Sequence, residues 1–484
     1  CVIVITKRMI SRFRLLGRDE IEEIHSSTLH ILEKVGVEVR NENALRLLKE
    51  NGCEVEGRRV RIPEELAKEC LKKAPSKIEL YSRDGDRRLI IGGDNVVYNP
   101  GSAAIYFLDS ETGEIRRGTS RDLERLVRLA DALEHIKAQS TAIVPSDVPD
   151  VVADLYRLYI VLRNSDKPII TGAFSKRGLI DMAEMLNAAV GGPEELRRRP
   201  RAIFDCCPTS PLTWGDVAAQ NLIDLAERGI PAEIISGPHI GATSPATLAG
   251  TLVQSNAETL VGIVITQLRR AGAPVIYGGG PVLFDMRYAT ERIGAIESVM
   301  MACAVAEIGK YYGLPTHSYL GESDSKVIDG QCCFESAIGI IMAALAGVNV
   351  VSGPGMLASE NCQSLEKLVI DDELCAMAYR LLEGVDVDEE TLALDVIEKV
   401  GPGGHYLGER HTMKHFRRER YIPSDVVCRL TLDAWKKAGS KDIIARARER
   451  VEKLLREHQP KPMPKERTQA LEEVVNSIFK RYNL

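Results

Sequence analysis

Hydrophobic and polar positions follow two alternating patterns over most of the chain. Short runs rich in β-branched residues, typical of buried strands, are each followed by a longer segment with the hydrophobic period of an amphipathic helix. The strand-like runs are NVVYN, STAIV, KPIITG, RAIFDCC, PAEIISG, APVIYGG, PTHSYLG and VNVVSG. Strands joined through helices pair in parallel, so these eight units predict an α/β fold, a closed (β/α)8 TIM barrel. An open doubly wound sheet is the alternative, but YGGGP lacks the GxGxxG spacing of a dinucleotide site.

The segments on either side of the barrel have different patterns. The residues before the first strand predict helices, one of them capped by Asn41 or Asn43, and a β-hairpin that turns at Asp84-Gly85. After residue 385 the alternation stops, and a glycine-rich, then basic stretch leads into charged helices. The pattern divides the chain into a helical and β-hairpin extension (1–94), the barrel (95–385) and a C-terminal helical segment that packs on the barrel (386–484).

The composition argues against several classes of protein but does not identify a single one. The chain has 484 residues, of which 44% are hydrophobic and 27% charged, and its net charge of −6 argues against a nucleic-acid binder with a basic face. No apolar run approaches the length of a membrane span, and the opening CVIVITKRMISRF does not have the organisation of a secretory signal. Eleven cysteines, an odd number in apolar surroundings, indicate reduced thiols and a cytoplasmic location rather than a disulfide framework.

Polar residues concentrate in ESDSKVIDGQCC, which follows the seventh predicted strand. The carboxyl ends of barrel strands build the active site, so Glu322, Asp324 and Glu335 are candidate acids or bases, although each also fits a loop or helix-cap role. Lys326 is a candidate Schiff-base lysine. Asp324 and Asp329 beside it would keep its amine protonated, however, and a salt-bridged structural lysine fits the same pattern.

Aromatic residues make up only 5% of the chain, yet several fall at predicted strand ends. The candidate substrate-binding residues at these ends are Tyr98, Asn99, Phe174, Trp214, His239, Tyr277, His317, Tyr319 and Gly353. Ring faces at the mouth of a barrel suit a bound cation, and glycine lets the backbone approach a ligand closely. The same rings could instead fill the rim by packing alone, and the pattern leaves both interpretations open.

Thiols and imidazoles at the strand ends raise the question of zinc. The residues concerned are Cys206, Cys207, His239, His317, Cys332 and Cys333. Adjacent cysteines point in different directions and no CxxC is present, so each pair offers about one ligand. His411 and His415 are spaced to share a helix face, but the glutamate of an HExxH motif is missing. We therefore expect no metal, and a structural or phosphate-facing role for the group formed by His405, His411 and His415.

Several longer stretches together resemble the trimethylamine methyltransferase superfamily, the corrinoid-dependent amine methyltransferases. They are LHILEKVGVEV, RIPEELAKECLKKAP, YNPGSAAIYFLDSETGEIRRGTSRDLERLVRLADAL, AIVPSDVP, ESDSKVIDGQCCFE, AALAGVNVVSGPGML, LVIDDEL and VGPGGHYLGERHTMKHFRRE. The resemblance runs over nearly the whole chain. It implies a (β/α)8 barrel that moves a methyl group from an amine to the cobalt of a separate corrinoid protein.

One departure from the family pattern concerns pyrrolysine, which the founding members carry in the active site. The alignment places it around Gln331 to Cys333, where this chain has only standard residues. The chain therefore resembles the non-pyrrolysine branch, in which Gln331 and Cys332 would shape the pocket floor and nearby carboxylates would attract a cation. A quaternary ammonium expels a neutral amine and needs no acid, so the loss of pyrrolysine fits such a substrate. Betaine-type members have a histidine that SGPGML lacks, which argues against glycine betaine itself.

The resemblance also defines the expected partners. We expect a small methylated amine as substrate, the cobalt(I) corrinoid of a cognate corrinoid protein as methyl acceptor, and no tightly bound cofactor in this chain. We expect neither nucleic acid nor membrane as a partner, and a homo-oligomeric assembly. The residues leave two other functions open: a barrel lyase or aldolase that uses Lys326 or a metal, and a non-catalytic methylamine-binding protein.

Overall fold

The architecture is a parallel eight-stranded barrel with an extension at each end of the chain, seen in a computed structural model that describes residues 13–101, 103–109 and 111–483. The interpretation of CVIVITKRMISRF concerns residues 1–13, and residues 1–12 lie outside the described part of the chain.

The N-terminal extension contains helices, a small sheet and the predicted hairpin. Its elements are α1 (Arg18–His30), β1 (Val37–Val39), α2 (Glu42–Glu50), β2 (Glu54–Glu56), β3 (Arg59–Arg61), α3 (Glu64–Lys73), β4 (Lys77–Tyr81) and β5 (Arg88–Gly92). A π-helical turn at Ile31–Val35 continues α1. The side chain of Asn41 caps α2 by accepting from the amide of Ala44 at 2.9 Å, and β4 and β5 pair antiparallel around Asp84-Gly85.

Strands from residue 97 onward build the barrel and the short sheets beside it. In chain order they are β6 (Val97–Asn99), β7 (Tyr106–Leu108), β8 (Ile115–Arg117), β9 (Gln139–Ser140), β10 (Ile169–Thr171), β11 (Ala202–Cys206), β12 (Thr213–Trp214), β13 (Ala232–Ser236), β14 (His239–Ile240), β15 (Val275–Gly279), β16 (Val282–Asp285), β17 (Thr290–Arg292), β18 (Thr316–Tyr319), β19 (Val350–Ser352), β20 (Met356–Leu357) and β21 (Cys362–Gln363).

The barrel consists of β6, β9, β10, β11, β13, β15, β18 and β19, and each pairs in parallel with its neighbour. A parallel bridge between Tyr98 and Ile136 joins β6 to the segment that leads into β9, which closes the ring. Each of the eight predicted strands is therefore present, and the prediction of a (β/α)8 barrel is confirmed.

Helices surround the barrel and continue to the end of the chain. They are α4 (Ser120–Ala132), α5 (Ala153–Asn164), α6 (Lys176–Val190), α7 (Pro193–Arg198), α8 (Asp216–Arg228), α9 (Leu248–Arg269), α10 (Ile296–Tyr311), α11 (Gly330–Ala346), α12 (Leu365–Glu383), α13 (Glu389–Leu392), α14 (Leu394–Val400), α15 (Arg410–Glu419), α16 (Leu432–Lys437), α17 (Ile443–Glu457) and α18 (Lys465–Arg481), with a 3-10 turn at Asp150–Val152. By length and composition α9 could cross a membrane, but it is mostly buried against α1, α3 and α8.

The last two helices pack on the outside of the barrel. Helix α17 lies against α4 and α12, and α18 lies against α6. His458, just after α17, contacts Asp131 through its Nε2 at 2.7 Å, and Arg481 donates to Asp181 at 2.8 Å. These two helices thus cover the face of the barrel formed by α4, α6 and α12.

Candidate active site

The interior of the barrel changes from apolar to polar along the strands. Its apolar floor contains Val97, Ile170, Ile203, Ile276 and Val350, and the hairpin residues Ile78, Leu80 and Ile91 close it from the amino-terminal end. Inward positions recur at every second residue of a strand. The next inward positions are therefore Asn99, Gly172, Asp205, Gly278 and Ser352. A polar layer follows the floor at the carboxyl end, where barrel sites are built.

Asp205 and Glu233 lie opposite each other on β11 and β13 within this polar layer. Glu233 is buried, and no donor from the described residues reaches either of its carboxyl oxygens. Burial raises the pKa of Asp205 to about 7, although the proximity of Glu233 and the charge of Arg157 act in the opposite direction. Burial and then the charge of Asp205 raise the pKa of Glu233 well above its usual range. The pair therefore retains a proton at neutral pH.

His317 and Tyr319 extend this layer from β18, with ring centroids 4.8 Å apart in an edge-on arrangement. The Nε2 of His317 lies 3.1 Å from the hydroxyl of Ser352 and 3.9 Å from a carboxyl oxygen of Glu233. Burial lowers the pKa of His317 to about 3, so its ring is neutral near pH 7. A neutral imidazole does not oppose the binding of a cation.

A second acidic group lies in the loops after β18 and β19. Neither oxygen of the buried Glu322 carboxyl has a hydrogen-bond partner among the described residues. Burial and then the charge of Glu360 raise the pKa of Glu322 well above its usual range, and burial and then the charge of Glu291 raise the pKa of Glu360 to about 8. Gly353 leaves room for the side chain of Glu322, since a β-carbon at residue 353 would lie 2.7 Å from Cγ of Glu322 and 2.3 Å from the Leu320 carbonyl oxygen.

Two cavities at the carboxyl ends of the strands share Cys207 and Tyr319 as lining residues. The first has a volume of about 300 Å³ and is bordered by Arg157 and Asp205. The second, of about 250 Å³, is bordered by Glu360, His239 and Glu291, and Nε2 of His239 lies 3.2 Å from a carboxyl oxygen of Glu291. The first cavity thus has the guanidinium of Arg157 in its wall, and the second has the carboxyl groups of Glu291 and Glu360.

The guanidinium of Arg157 belongs to the first cavity. Arg157 lies on α5, is only 3% exposed, and stacks on the ring of Phe174 at 4.9 Å. Its Nη2 donates to the hydroxyl of Thr141 at 2.5 Å, whereas Nε and Nη1 have no acceptor among the described residues. Burial lowers the pKa of Arg157 to about 10, so the group stays charged near neutral pH.

Two of the predicted acids hold the loop after β18 in place. The carboxylate of Glu335 accepts from the hydroxyl of Ser323 at 2.6 Å and from the amide of Asp324 at 2.9 Å. Asp324 in turn accepts from the hydroxyl of Ser359 at 2.7 Å. The carboxylates of Glu335 and Asp324 thus accept hydrogen bonds from residues of the surrounding loops. Of the three predicted acids, only Glu322 has a buried carboxyl group that accepts no hydrogen bond from the described residues.

Gln331, Cys332 and Lys326 also lie outside the two cavities. Gln331 is exposed in the first turn of α11, and the buried Cys332 donates its amide to Asp329 at 2.9 Å. Burial raises the pKa of the Cys332 thiol to about 12. Lys326 is exposed and its ammonium donates to the carbonyl of Asp324 at 2.6 Å, which is not the apolar setting that a Schiff-base lysine needs.

The predicted aromatic residues divide between the core and the cavities. Tyr98 donates its hydroxyl to the carbonyl of Ile340 at 2.9 Å, and Tyr277 donates to the side chain of Asn256 at 2.9 Å. Trp214 is fully buried and donates to a carbonyl of α9 at 3.0 Å. The structure places these three rings against helices rather than at the mouth. Tyr98 and Tyr277 occupy outward positions of barrel strands, which pack on the helices, and Trp214 lies on β12, outside the barrel sheet. The rings at the cavities are Phe174, His239 and Tyr319.

Asn99 and Gly353 lie where the loops meet the interior. The side-chain amide of Asn99 donates to the carbonyl of Val351 at 3.2 Å and to the hydroxyl of Ser352 at 2.8 Å, which ties β6 to β19. The amide of Gly353 donates to the carbonyl of Asn99 at 3.3 Å. Both residues therefore fix the shape of the mouth next to the first cavity.

The thiols and the remaining histidines form no cluster with the geometry of a metal site. Within residues 13–101, 103–109 and 111–483, no three cysteine, histidine or carboxylate side chains are grouped as a metal site requires, and the ten described cysteines are free. His411 and His415 stack with ring centroids 4.4 Å apart, and Nε2 of His415 contacts the carboxylate of Glu390 at 2.9 Å. These histidines join α15 to α13, and neither lines the two cavities.

Several charged residues of the site were not predicted from the sequence, namely Arg157, Asp205, Glu233, Glu291 and Glu360. Three of them carry a usable signal, a single charge inside an apolar element. Asp205 lies within RAIFDCC, Glu233 within PAEIISG and Arg157 within LYRLYIVL. Buried charges of this kind are expensive unless they are paired or functional, so each marks a candidate site residue. Glu291 lies on the polar strand β17 and Glu360 in a polar loop, and neither segment contains a comparable signal.

Fold and site together define a (β/α)8 barrel enzyme scaffold with an acidic, proton-retaining cavity at its carboxyl end. The family model described as trimethylamine methyltransferase (MTTB) matches residues 3–481. The glycine betaine methyltransferase of Desulfitobacterium hafniense strain Y51 is 37% identical over 434 residues, covering 89% of this chain and 90% of that protein. The chain therefore belongs to the trimethylamine methyltransferase family, and the predicted resemblance is confirmed.

Other relatives and a solved structure agree with this assignment. The trimethylamine methyltransferase MttB of Desulfitobacterium hafniense strain DSM 10664 / DCB-2 is 33% identical over 468 residues, covering 96% of this chain and 94% of that protein. MttB1 of Methanosarcina mazei is 33% identical over 480 residues, covering 97% and 96%. The crystal structure of the Methanosarcina barkeri monomethylamine methyltransferase MtmB has a TM-score of 0.55 at 12% identity, covering 98% of this chain and 89% of that one, and it supports the fold alone.

Proposed function

We propose that this protein transfers a methyl group from a quaternary methylated amine to the cobalt(I) of a separate corrinoid protein. Its membership of a methyltransferase family supports the reaction class. The observation that carries the choice of substrate is an acidic group formed by Glu291 and Glu360, which border the second cavity, and the nearby Glu322. After burial, the charge of Glu291 raises the pKa of Glu360, and the charge of Glu360 raises the pKa of Glu322. Buried carboxyl groups whose pKa values are raised in this way are stabilised in their ionised form by a nearby positive charge, which a permanent cation supplies.

The second cavity has the parts that a quaternary ammonium requires. Tyr319 contributes an aromatic wall, and Glu291 and Glu360 contribute the counter-charge. An ammonium group without N–H bonds cannot form hydrogen bonds, so its recognition depends on ring faces and on carboxylates at short range. Burial of the site strengthens both interactions because less water screens them.

The chemical step depends more on the alignment of the C–N bond and the exclusion of water than on acid catalysis. The electron pair of cobalt(I) forms the bond to the methyl carbon, the C–N bond breaks, and its electron pair remains on nitrogen as the lone pair of a neutral tertiary amine. The methyl group leaves as methyl-cobalt(III) on the partner protein, and no proton is transferred. The chain must therefore hold the C–N bond in line and exclude water, for which a closed barrel floor and buried carboxyl groups are suited.

The corrinoid protein must reach the barrel mouth from the carboxyl end. The hairpin of β16 and β17 presents exposed apolar side chains there, with Met286 at 70% and Tyr288 at 66% exposure, while Glu291 on β17 borders the second cavity. We propose this hairpin, the SGPGMLASENC loop and the basic GGHYLGERHTMKHFRRER segment as the docking surface. The free cysteines fit the reducing conditions of a cytoplasm, where we propose that this reaction occurs.

The test of this function is the spectral change from cobalt(I) to methyl-cobalt(III). The protein is mixed with a reduced corrinoid protein and with choline, carnitine, glycine betaine, proline betaine, tetramethylammonium or trimethylamine. The account predicts methylation with at least one quaternary amine and little with trimethylamine. Turnover with trimethylamine alone would contradict the substrate class. No turnover with any amine across several corrinoid proteins would favour the lyase or binding-protein alternatives.

A further inference from the structure

The methyl transfer itself moves no proton, but its product requires one. When the C–N bond breaks, the bound cation becomes a neutral tertiary amine whose lone pair faces the methyl group on cobalt. This amine can attack the methyl group and reverse the transfer, and the carboxylates around it have lost their counter-charge. Protonation of the nitrogen uses the lone pair and restores a cation. An acid at the second cavity would therefore complete the reaction.

Glu360 lies at the end of a strained turn that brings its carboxyl group to the second cavity. Ala358, Ser359 and Glu360 have positive φ angles of 54°, 52° and 65°. Successive non-glycine residues in this left-handed region are rare, and such strain persists only where the surrounding contacts hold it. Oε1 of Glu360 is buried and has no hydrogen-bond partner among the described residues. The turn thus holds an unpaired carboxyl oxygen at the cavity wall.

Hydrogen bonds from the loop after β18 hold this turn in place. The amide of Ser359 donates to the carbonyl of Ser323 at 3.2 Å, and its hydroxyl donates to Asp324 at 2.7 Å. Ser323 and Ser359 adjoin Glu322 and Glu360 in the chain, so this pairing brings the two glutamates together. After burial, the charge of Glu360 has the largest influence on the pKa of Glu322, as expected for neighbouring groups.

Glu322 keeps a proton next to Glu360. The residue is 2% exposed and its carboxyl group accepts no hydrogen bond from the described residues, so its ionised form is strongly disfavoured. Glu360 borders the cavity, and a cation bound beside it favours its ionised form. With a quaternary ammonium bound, the site therefore contains a carboxylate at the cavity and a protonated carboxyl group beside it.

We propose that Glu360 passes a proton from Glu322 to the nitrogen of the tertiary amine that methyl transfer leaves in the second cavity. The inference rests on the proposed function and adds a proton step after it. The O–H bond of Glu322 breaks and its electron pair stays on the carboxylate, the proton moves by way of Glu360, and the amine lone pair forms the new N–H bond. The product leaves as an ammonium ion, and one proton from solvent restores Glu322.

A comparison of ammonium with sulfonium substrates tests this relay, because only the ammonium yields a basic product. Tetramethylammonium leaves trimethylamine, which takes up a proton, whereas trimethylsulfonium leaves dimethyl sulfide, which does not. Glycine betaine and dimethylsulfonioacetate form a second matched pair. Each compound is incubated with this protein and a reduced corrinoid protein, and kcat and KM are measured after subtraction of the reaction without this protein.

The variants Glu360→Gln and Glu322→Gln separate proton transfer from cation binding. Each should lower kcat for the ammonium at least about tenfold more than kcat for the sulfonium, since general acid catalysis typically contributes more than that. A loss of cation affinity would instead raise KM for both substrates alike. The ratio of the two kcat values does not depend on the fraction of folded protein, so partial misfolding cannot imitate the result.

Glu291→Gln is the matched control, because Glu291 borders the same cavity and its carboxyl group lies 3.2 Å from Nε2 of His239, outside the proposed relay. This variant should raise KM for both cations and keep the wild-type ratio of their kcat values. Equal losses of kcat for ammonium and sulfonium in Glu360→Gln would overturn the relay and leave the proposed function in place. If the wild type turns over no quaternary ammonium or sulfonium at all, the proposed function itself is contradicted, and the relay with it.

Discussion

The carboxyl groups of Asp205 and Glu233 lie side by side on neighbouring strands inside the barrel, and no donor from the described residues reaches Glu233. Ionising both carboxyl groups in a site that excludes water costs too much free energy, so the pair keeps a proton at neutral pH. His317, with a pKa lowered by burial to about 3, does not supply a compensating charge. The polar layer of the barrel thus balances this pair with a retained proton and with the nearby charge of Arg157.

The affinity for a simple quaternary cation should depend on pH through Glu360. Its pKa is raised to about 8 by burial and then by Glu291, so a nearby cation must favour the ionised form and release a proton on binding. The affinity for tetramethylammonium should therefore rise as the pH increases through about 8 and become constant above it. Calorimetry in buffers with different ionisation heats measures the released proton, and Glu360→Gln should reduce it. Constant affinity with no proton release would contradict this explanation.

The stability of the folded protein should respond to the raised pKa of Asp205. The folded state keeps a proton on Asp205 up to about pH 7, whereas the unfolded chain loses it at the ordinary value for an aspartate. The contribution of this group to stability is therefore present at low pH and is lost as the pH rises through about 7. Asp205→Asn should melt higher than wild type by on the order of a few degrees above that pH, with a smaller difference near pH 5.

The control for this measurement is Asp425→Asn, since Asp425 is exposed and lies 3.8 Å from Arg450 in a surface ion pair. Its melting temperature should follow that of the wild type at each pH. A difference between Asp205→Asn and wild type that does not change with pH would refute the assigned titration.

The aromatic contribution to cation binding should come from Tyr319. Tyr319 lines both cavities, whereas Tyr277 directs its hydroxyl to Asn256 in the core. Cation–π contacts contribute about 0.5–2 kcal/mol, so Tyr319→Leu should weaken the binding of tetramethylammonium roughly twofold to thirtyfold. Tyr277→Phe should leave this affinity unchanged. Equal losses in both variants would mean that the effect arises from general destabilisation.

The buried ion pair of Lys367 and Asp371 should stabilise the loops around the mouth of the barrel. The ammonium of Lys367 lies 2.5 Å from the carboxylate of Asp371 and 3.0 Å from the carbonyl of Gly321, and Asp371 accepts from the amide of Gly355 at 2.7 Å. Lys367→Met leaves Asp371 buried and uncompensated, which should cost about 3–5 kcal/mol in the free energy of unfolding by urea.

The double variant Lys367→Met/Asp371→Leu is the control for that loss. Replacing a whole buried pair by apolar residues costs far less than breaking it, so the double variant should recover part of the stability. A loss below about 1 kcal/mol in Lys367→Met, or no recovery in the double variant, would show that the pair is not compensated as the geometry implies.

The barrel could be predicted from the sequence because its pattern of hydrophobic residues repeats in each strand–helix unit and depends only on neighbouring residues. Each strand is short and apolar, each helix has its own period, and the order of the units determines the parallel pairing. The cap at Asn41 and the hairpin at Asp84-Gly85 followed from equally local rules. These elements depend on their own residues more than on distant contacts.

The site was harder to predict because side-chain direction depends on register. Tyr98 and Tyr319 both lie near strand ends, yet the first points outward to Ile340 and the second lines the cavities. One position along a strand decides between the two faces, and a single sequence does not fix that position. Glu335 resembled a catalytic acid because its bonds to Ser323 and Asp324 form only in the folded loop.

The measurement that tests the proposed function most directly follows the methyl group itself. A quaternary amine with trideuterated methyl groups is incubated with this protein and a reduced cobalt(I) corrinoid protein, and both products are analysed by mass spectrometry. The account predicts one trideuteromethyl group on cobalt for each tertiary amine released, at a rate that depends on the protein and falls in Tyr319→Leu. Label that remains entirely in the amine, or that reaches cobalt equally fast without the protein, would contradict it.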